Sequence, residues 1–289
     1  MSEEVVADFT GKLLTDDLDQ LKPVKGRVLL NREQLVLVTG EGKEVIFLSK
    51  IISTNPGSVA ASVSQFLEEA IAIAYERNGN QKRAIVGGNT QTIAKFRTLL
   101  FKLLIGKQTV IAKHPAKRGG RITDASAHKM VLDLEESAIT LSKDDQTATI
   151  NVESVIGFEH ETRDLFDKPR PTLSIDHAAG STTLTTFISL LSQRKLKFLS
   201  QFIRLNYSKV VDDVKNIDVS DTETQALVSL YSAGGNATLD AVITGDETEQ
   251  KALLQSLKEK GLVTKDDGQL HLTSRGEIVV TDRLESVNE

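Results

Sequence analysis

Any chemistry this chain performs has to come from very few residues. Cysteine is absent, which removes thiol nucleophiles, thiolate metal sites and disulfides together. The five histidines stand at 114, 128, 160, 177 and 271. No two of them share the i,i+3 or i,i+4 spacing that puts two ligands on one helix face. His160 lies between Glu159 and Glu161, where a metal could be imagined, but a solvated charge cluster at a strand end is the plainer reading. His177 stands beside a predicted turn and reads as exposed. Gly87-Gly88 precedes a helix yet lacks the Lys-Ser/Thr of a phosphate loop. Gly119-Gly120 lies among Lys117, Arg118 and Arg121, a group that could hold an anion, although a mobile basic loop is the default. No nucleophile, base and orienter converge, so no catalytic residue, metal ligand or cofactor is expected.

The elements that must position these residues are read from periodicity. Residues 27–31 and 35–38 alternate as strands, a turn follows at Gly40-Glu-Gly42, and 44–48 alternates again with Val45 and Phe47 on one face. Val59, Val63, Phe66, Leu67 and Ile71 fall at helical spacing, which predicts a short helix over 58–69. Residues 70–76 and 82–86 form a hairpin around Asn78-Gly-Asn80. Asn89 or Thr90 caps a helix running to Ile105, with Ile93, Phe96, Leu99, Leu100, Leu103 and Leu104 in its stripe and Gly106 as its stop.

The pattern then recurs, with strands at 129–133, 138–141 and 148–152, a hairpin from 172–176 to 181–185, and a helix. Phe187, Leu190, Leu191, Phe198 and Phe202 lie on that helix's stripe. The run Leu48-Ser-Lys-Ile-Ile52 is echoed by Val152-Glu-Ser-Val-Ile156 at an offset of 104, and duplication is the simplest account. A small sheet closed by a terminal helix points to a pleckstrin-homology-like module, a kind that binds peptides, proteins or lipid headgroups. The second helix continues through Leu205, Val210, Val214 and Ile217. Unbroken from 186 to 215 it would span ~45 Å, too long for one small sheet to cover. Two readings stand: a break near Asn206-Tyr207, or a helix that pairs two copies through Phe198, Phe202, Leu205 and Val210.

At the C-terminus, Ser220-Asp-Thr-Glu223 and Thr244-Gly-Asp-Glu247 read as capping boxes. They open helices that carry Ala226, Leu227, Leu230 and Tyr231, then Leu253, Leu254 and Leu257, with a short helix between them at 238–243. A hairpin follows around Asp266-Asp-Gly268. Three helices and a β-wing make a winged helix-turn-helix. The 289 residues thus divide into three expected domains, at 1–107, 108–216 and 217–289. The fold class is α+β: two tandem pleckstrin-homology-like β modules, each ending in a helix, then a winged helix-turn-helix.

Charge separates the candidate partners. Residues 217–289 hold six Lys or Arg and fourteen Asp or Glu, a net of −8, which leaves +3 on the rest of a chain whose total is −5. The helix that would enter a major groove begins with Asp246, Glu247 and Glu249, and phosphates repel it. Protein is therefore favoured over nucleic acid as the partner of this module. Basic residues gather on the first terminal helix (Lys95, Arg97, Lys102, Lys107), on the second (Arg194, Lys195, Lys197, Arg204) and on the inter-module loop (Lys113, Lys117, Arg118, Arg121). They read either as solvated faces or as docking surfaces for an acidic partner. The chain contains no apolar run of the ~20 residues a membrane helix needs. Residues 1–8 carry Glu3 and Glu4 rather than a basic start, so a cytoplasmic protein is expected.

Four segments then carry a resemblance that covers most of the chain: Lys25-Gly-Arg-Val-Leu-Leu30 with Leu35-Val-Leu-Val38, the repeated strand-end pattern, Ser189-Leu-Leu-Ser-Gln-Arg-Lys-Leu-Lys-Phe-Leu199, and the winged-helix ending from Glu223 to Arg275. In this order they resemble the archaeal taxis adaptor family CheF, as a match of architecture rather than of one sharp motif. The resemblance implies a non-enzymatic, cofactor-free adaptor. It would link phosphorylated CheY to the cytosolic switch complex of the archaellum motor, form homodimers, and leave room for other Che adaptor proteins as partners. It transfers no contact residue, so sites are assigned on physical grounds. CheY is placed on Leu257, Lys258, Leu262, Arg275 and the tail after Glu277. The motor is placed on Lys95, Arg97, Lys102, Arg194, Lys195 and Lys197. The rival readings are a winged-helix transcription regulator with a duplicated sensor body, and a membrane-surface adaptor whose β modules hold lipid headgroups.

Overall fold

Alternating apolar residues in the first hundred positions build one antiparallel sheet. The computed structural model describes residues 4–16, 22–54, 63, 65–179, 182–242, 246–266 and 268–287. Of the helix expected over 58–69, residues 58–62 and 64 lie outside them, while 65–68 are turn and irregular backbone and Glu69 opens a strand, which corrects the second half of that expectation. The sheet's strands are β1 (Ala7–Thr15), β2 (Val24–Leu30), β3 (Gln34–Thr39), β4 (Gly42–Phe47), β5 (Ile51–Thr54), β6 (Glu69–Arg77) and β7 (Asn80–Gly88), in the order β4-β3-β2-β1-β7-β6-β5. β1 was not expected from the sequence, yet it is the central strand, pairing Leu13 with Val24 on one side and with Val86 on the other. Asn78 and Gly79 both adopt positive φ (52° and 78°) between β6 and β7, the conformation a two-residue hairpin turn requires. On β4 the inward face is Glu44 and Ile46, whereas Phe47 is 54 % exposed.

Asn89 caps α1 (Thr90–Ile105), its side chain accepting from Thr92 N at 2.8 Å, and Gly106 ends the helix at φ 70°. Ile93, Phe96, Leu100, Phe101 and Leu104 are its buried residues against the sheet. A long helix, α2 (Gln193–Lys215), runs unbroken through Asn206 and Tyr207, so the broken-helix reading is corrected. Its start is later than the stripe implied: Phe187 belongs to a strand, and Leu191 lies ahead of the helix, 89 % exposed.

The chain divides into two compact units. One comprises Met1–Gln108, Val131–Glu136 and Ser192–Leu205; the other Thr109–Met130, Ser137–Leu191 and Asn206–Glu289. A second sheet repeats the first. Its strands are β8 (Gln108–Arg118), β9 (Arg121–Ile122), β10 (His128–Leu134), β11 (Ala138–Lys143), β12 (Gln146–Asn151), β13 (Val155–Asp164), β14 (Pro169–Ala179) and β15 (Thr182–Ser189). Their order is β12-β11-β10-β8-β15-β14-β13, with β9 paired to β8. Strands β2, β3 and β4 recur as β10, β11 and β12 at a constant offset of 104, and so does the single 3-10 turn after them, Leu48–Lys50 and Val152–Ser154. Two sheets with the same strand order and the same register of elements are what a duplicated sequence produces.

The C-terminal segment folds as α3 (Asp221–Ser232), β16 (Asn236–Thr238), α4 (Leu239–Val242), α5 (Glu247–Glu259), β17 (Val263–Asp266), β18 (Gln269–Leu272) and α6 (Ser274–Val287). The three strands pair as β16-β18-β17. Leu227, Leu230, Leu257, Leu262, Leu270 and Val280 form its core, and Val210 and Val214 from the end of α2 belong to the same cluster. The second capping box is shifted by two residues from its expected place: Asp246 caps α5 and Glu249 answers it, while Thr244 lies outside the described residues.

Candidate functional site

Basic side chains were the sequence's strongest pointer to a partner, and the fold sorts them. On α1, Lys95 and Lys102 are exposed. Arg97, by contrast, is only 5 % exposed and pairs with Glu69 at 3.5 Å. Burial lowers its pKa, against the opposing pull of Glu69 and Glu136. A guanidinium so enclosed serves the chain's own core, and Arg97 is withdrawn as a docking residue. On α2, Arg194 donates to the carbonyls of Leu48 (2.7 Å) and Ile51 (3.0 Å) and lies 4.9 Å from the ring of Phe198. It clamps the helix to the first sheet. Lys195 is half-buried and Lys197 exposed. What remains for a partner is Lys95, Lys102 and Lys197, with the half-buried Lys195 and Arg194, exposed but bonded to the first sheet, at the margin.

The residues expected to form a dimer seam are inside the chain. Phe198 and Phe202 are at most 1 % exposed, and Phe202 meets Phe101 edge-on at 5.5 Å. Gln201 fixes the same stretch by accepting from the backbone N–H of Thr54 (3.0 Å) and its hydroxyl (3.2 Å). Leu205 and Val210 are buried too. These four side chains cover surface that belongs to their own chain, which corrects their placement in a seam between copies.

The C-terminal residues divide likewise. Leu257 and Leu262 are core residues, at 1 % and 0 % exposure, and this corrects their assignment to a partner surface. Lys258 is exposed, and Arg275 is half-exposed beside Asp213 at 3.6 Å. After Glu277 the chain continues in α6 to Val287, with Ile278, Val279 and Val280 buried. Burial raises the pKa of the Glu277 carboxyl, only partly offset by a hydrogen bond from Thr183.

Sequence reasoning found the first capping box but not its second role. Glu223 accepts from Ser220 N (2.7 Å), from Ser256 Oγ (2.7 Å) and from Lys260 Nζ at both carboxylate oxygens (2.7 Å each). Burial alone would raise its pKa, but these donors overcome that and hold it at about 2. The box announces itself locally, whereas a partner 37 residues away leaves no signal. At the start of α5, Asp246 accepts from Thr248 N and Glu249 N, and Glu247 is held by Lys251 at 2.6 Å. Carboxylates thus lead the helix that a DNA-binding reading would send into a groove, and the geometry keeps them there.

Two histidines are placed unexpectedly. His177 is 3 % exposed, not exposed as the neighbouring turn implied, because it lies within β14 rather than in the turn. Its ring stacks on that of His114 at 5.9 Å, and Thr186 Oγ1 bonds both, at 2.7 Å to His114 and 3.2 Å to His177. Burial first, then the neighbouring His114, pushes His177 down to about 4; burial also lowers His114. His160 lies on edge strand β13. Among the described residues no three His, Asp or Glu gather as a metal site. No described helix is long and apolar enough to cross a membrane.

With this geometry in view, known proteins match in a consistent way. The family described as archaeal chemotaxis signal transduction system protein F matches residues 5–209. The chain belongs to this family. The family's matched span takes in both sheets, α1 and most of α2. Taxis protein CheF2 of Halobacterium salinarum is 36 % identical over 288 residues, covering 100 % of each chain. Taxis protein CheF1 of the same organism is 24 % identical over 266 residues, 89 % of each. The C-terminal segment therefore lies beyond the family span but within the full-length match to CheF2. A solved structure of the inner membrane complex sub-compartment protein 3 from Toxoplasma gondii aligns over 40 % of this chain and 83 % of its own. It is 9 % identical with a TM-score of 0.28, a likeness that carries no argument. As a member of the CheF family the chain takes part in archaeal chemotaxis signalling, and none of these descriptions names a catalytic activity.

Proposed function

We propose that this chain is a non-enzymatic adaptor that binds phosphorylated CheY and the cytosolic switch complex of the archaellum motor, and so controls the sense of rotation. The observation that supports this most is its end-to-end similarity to a taxis protein, 100 % of both chains, over an architecture of two repeated sheets and a separate helical end. The reading treats the two sheets with their helices as pleckstrin-homology-like modules, at 1–107 and 108–216, and residues 217–289 as a winged helix. It places the protein at the cytosolic face of the motor.

On this reading the motor meets the exposed lysines of the helices, Lys95, Lys102 and Lys197, and CheY meets the C-terminal segment near Lys258 and Arg275. The homodimer uses surfaces other than the buried face of α2. The adaptor biases the motor only to the extent that it distinguishes the two states of CheY, since a ligand with equal affinity for both states shifts nothing. Calorimetry of the intact chain with its cognate CheY, with and without beryllofluoride, tests this. Binding at least tenfold tighter to the activated form is expected, about 1.4 kcal/mol. Absence of binding to either form would overturn the proposal.

A further inference from the structure

The second sheet carries a groove that the taxis reading leaves unused. It opens between the β8–β9 hairpin and the far end of edge strand β13, with a volume of about 400 Å³. The sequence suggested a mobile basic loop here. Instead Gly119 and Gly120, at φ 53° and 77°, make a two-residue turn, and β9 pairs back onto β8 through Lys117↔Ile122 and Arg118↔Arg121. The hairpin therefore presents its side chains in a set arrangement.

Lys113, Lys117 and Ile122 line the groove from the hairpin, Arg163 from the end of β13, Leu165 from just beyond it, and Phe187 from β15. Three cations thus face one wall anion, Asp164, and Arg118 and Arg121 stand at the turn beside them. Lys113 reaches only the carbonyl of Thr123, at 3.4 Å. Lys117, Arg118 and Arg121 are in no ion pair among the described residues. Arg163 is held by Glu161 at 2.5 Å and lies 4.9 Å from the ring of Phe187, and its Nε is buried without a hydrogen-bond partner. Apolar groups are held out beside these charges: Ile122 is 80 % exposed and Phe166 46 %.

We propose that this groove docks an acidic segment of a partner protein, one with a large apolar side chain flanked by Asp or Glu. The apolar side chain would cover Ile122 and the rim of Phe187, while the flanking carboxylates meet Lys113, Lys117 and the turn arginines. Each exposed cation contributes little alone. Together they steer an acidic chain in, and the apolar contact supplies most of the affinity. A phosphate-bearing ligand fits less well, because Asp164 stands in the wall and Arg163 is already held by Glu161. This site shares no residue with the two surfaces proposed for the taxis partners and does not depend on which proteins those are.

The test uses the intact chain and a fluorescein-labelled peptide, Glu-Asp-Phe-Glu-Asp-Leu-Glu, with a counterpart in which Lys replaces each acidic residue. Fluorescence anisotropy is expected to show saturable binding of the acidic peptide at concentrations on the order of 10–100 μM and none of the basic one. Lys117→Glu and Ile122→Ser should each weaken binding about fivefold or more, with thermal unfolding little changed, because Ile122 is 80 % exposed and the half-buried Lys117 is in no ion pair among the described residues. No binding of the acidic peptide, equal binding of both peptides, or unaltered affinity in both variants would overturn the proposal. So would capture of phosphatidylglycerol vesicles that the same substitutions abolish, since the groove would then be a lipid site. Measuring CheY binding in parallel keeps the two failures apart, because a chain that ignores CheY but holds the peptide loses the taxis mechanism and keeps the groove.

Discussion

At the scale of single residues, two buried ionisable groups make the chain sensitive to acid in separate pH windows. His177 is 3 % exposed and faces His114 and Asp176. Its pKa is pushed from 6.5 to about 4 in the folded chain. Above pH 6.5 both folded and unfolded forms are neutral and the stability is complete. As pH falls from 6.5 to about 4, only the unfolded chain takes up the proton, and up to about 3 kcal/mol is lost. His114 shifts in the same direction and adds to the loss. Urea unfolding between pH 7 and 4 should show this decline, and His177→Gln should flatten it. Glu223 acts lower. Its pKa is depressed from 4.5 to about 2, so its contribution is present above 4.5 and disappears as pH falls through that interval. Glu223→Gln leaves Lys260 without its buried partner and should cost about 2–3 kcal/mol at pH 7. Lys251→Ala, which removes an ion pair with side chains 70 % and 82 % exposed, should cost under ~0.5 kcal/mol. Equal losses in these two variants would show that burial is not what gives the Glu223 pair its strength.

At the scale of elements, α2 shows what a sequence pattern can and cannot carry. Its apolar stripe from Phe198 to Val214 was plain from spacing and lies on the helix, although the helix starts at Gln193 and not at 186. What covers the stripe was not plain, because that depends on contacts far apart in sequence, such as Phe101 on Phe202 and Thr54 on Gln201. A long uncovered helix therefore looked like a dimer seam or a broken rod; instead it is unbroken, and its stripe is covered by its own chain. Phe202→Ala should accordingly lower stability by ~3–5 kcal/mol, and leave whatever concentration dependence the parent's midpoint has unchanged. A midpoint that rises with concentration in the parent and not in the variant would restore the seam. The same limit explains the strands that were missed. β1 has only a short apolar run and β8 reads as a basic loop, yet both are central because neighbours on either side supply the pairing. The hairpin turns and the capping residue Asn89 were legible because their signals are local. Candidate docking residues were legible only as charges. Nothing in the sequence distinguishes Arg97, enclosed with Glu69, from Lys95 two positions away in solvent.

At the scale of the whole molecule, the repeated strand order and the offset of 104 between corresponding elements describe a chain that doubled one sheet and then added a helical end. The end is not a removable appendage. Val210 and Val214, the last apolar turns of α2, share a core with Leu227, Leu230, Leu257 and Leu262, and Ser274 Oγ donates to the carbonyl of Glu153 on the second sheet's turn at 3.0 Å. A chain cut after residue 216 would leave both valines facing water. Each buried valine is worth ~1.5–3 kcal/mol, a large share of a domain's typical ~5–15 kcal/mol. The truncated chain 1–216 should therefore melt at a lower temperature than the intact chain, bind a hydrophobic dye and aggregate on concentration, as light scattering would record. Its loss of CheY binding would then say nothing about where CheY docks, whereas Lys258→Glu or Arg275→Glu in the full chain would, since those side chains reach solvent and the core stays closed. A truncated chain that unfolds cooperatively at the intact chain's temperature would show that the valines find cover without the C-terminal segment, and deletion would become the cleaner probe.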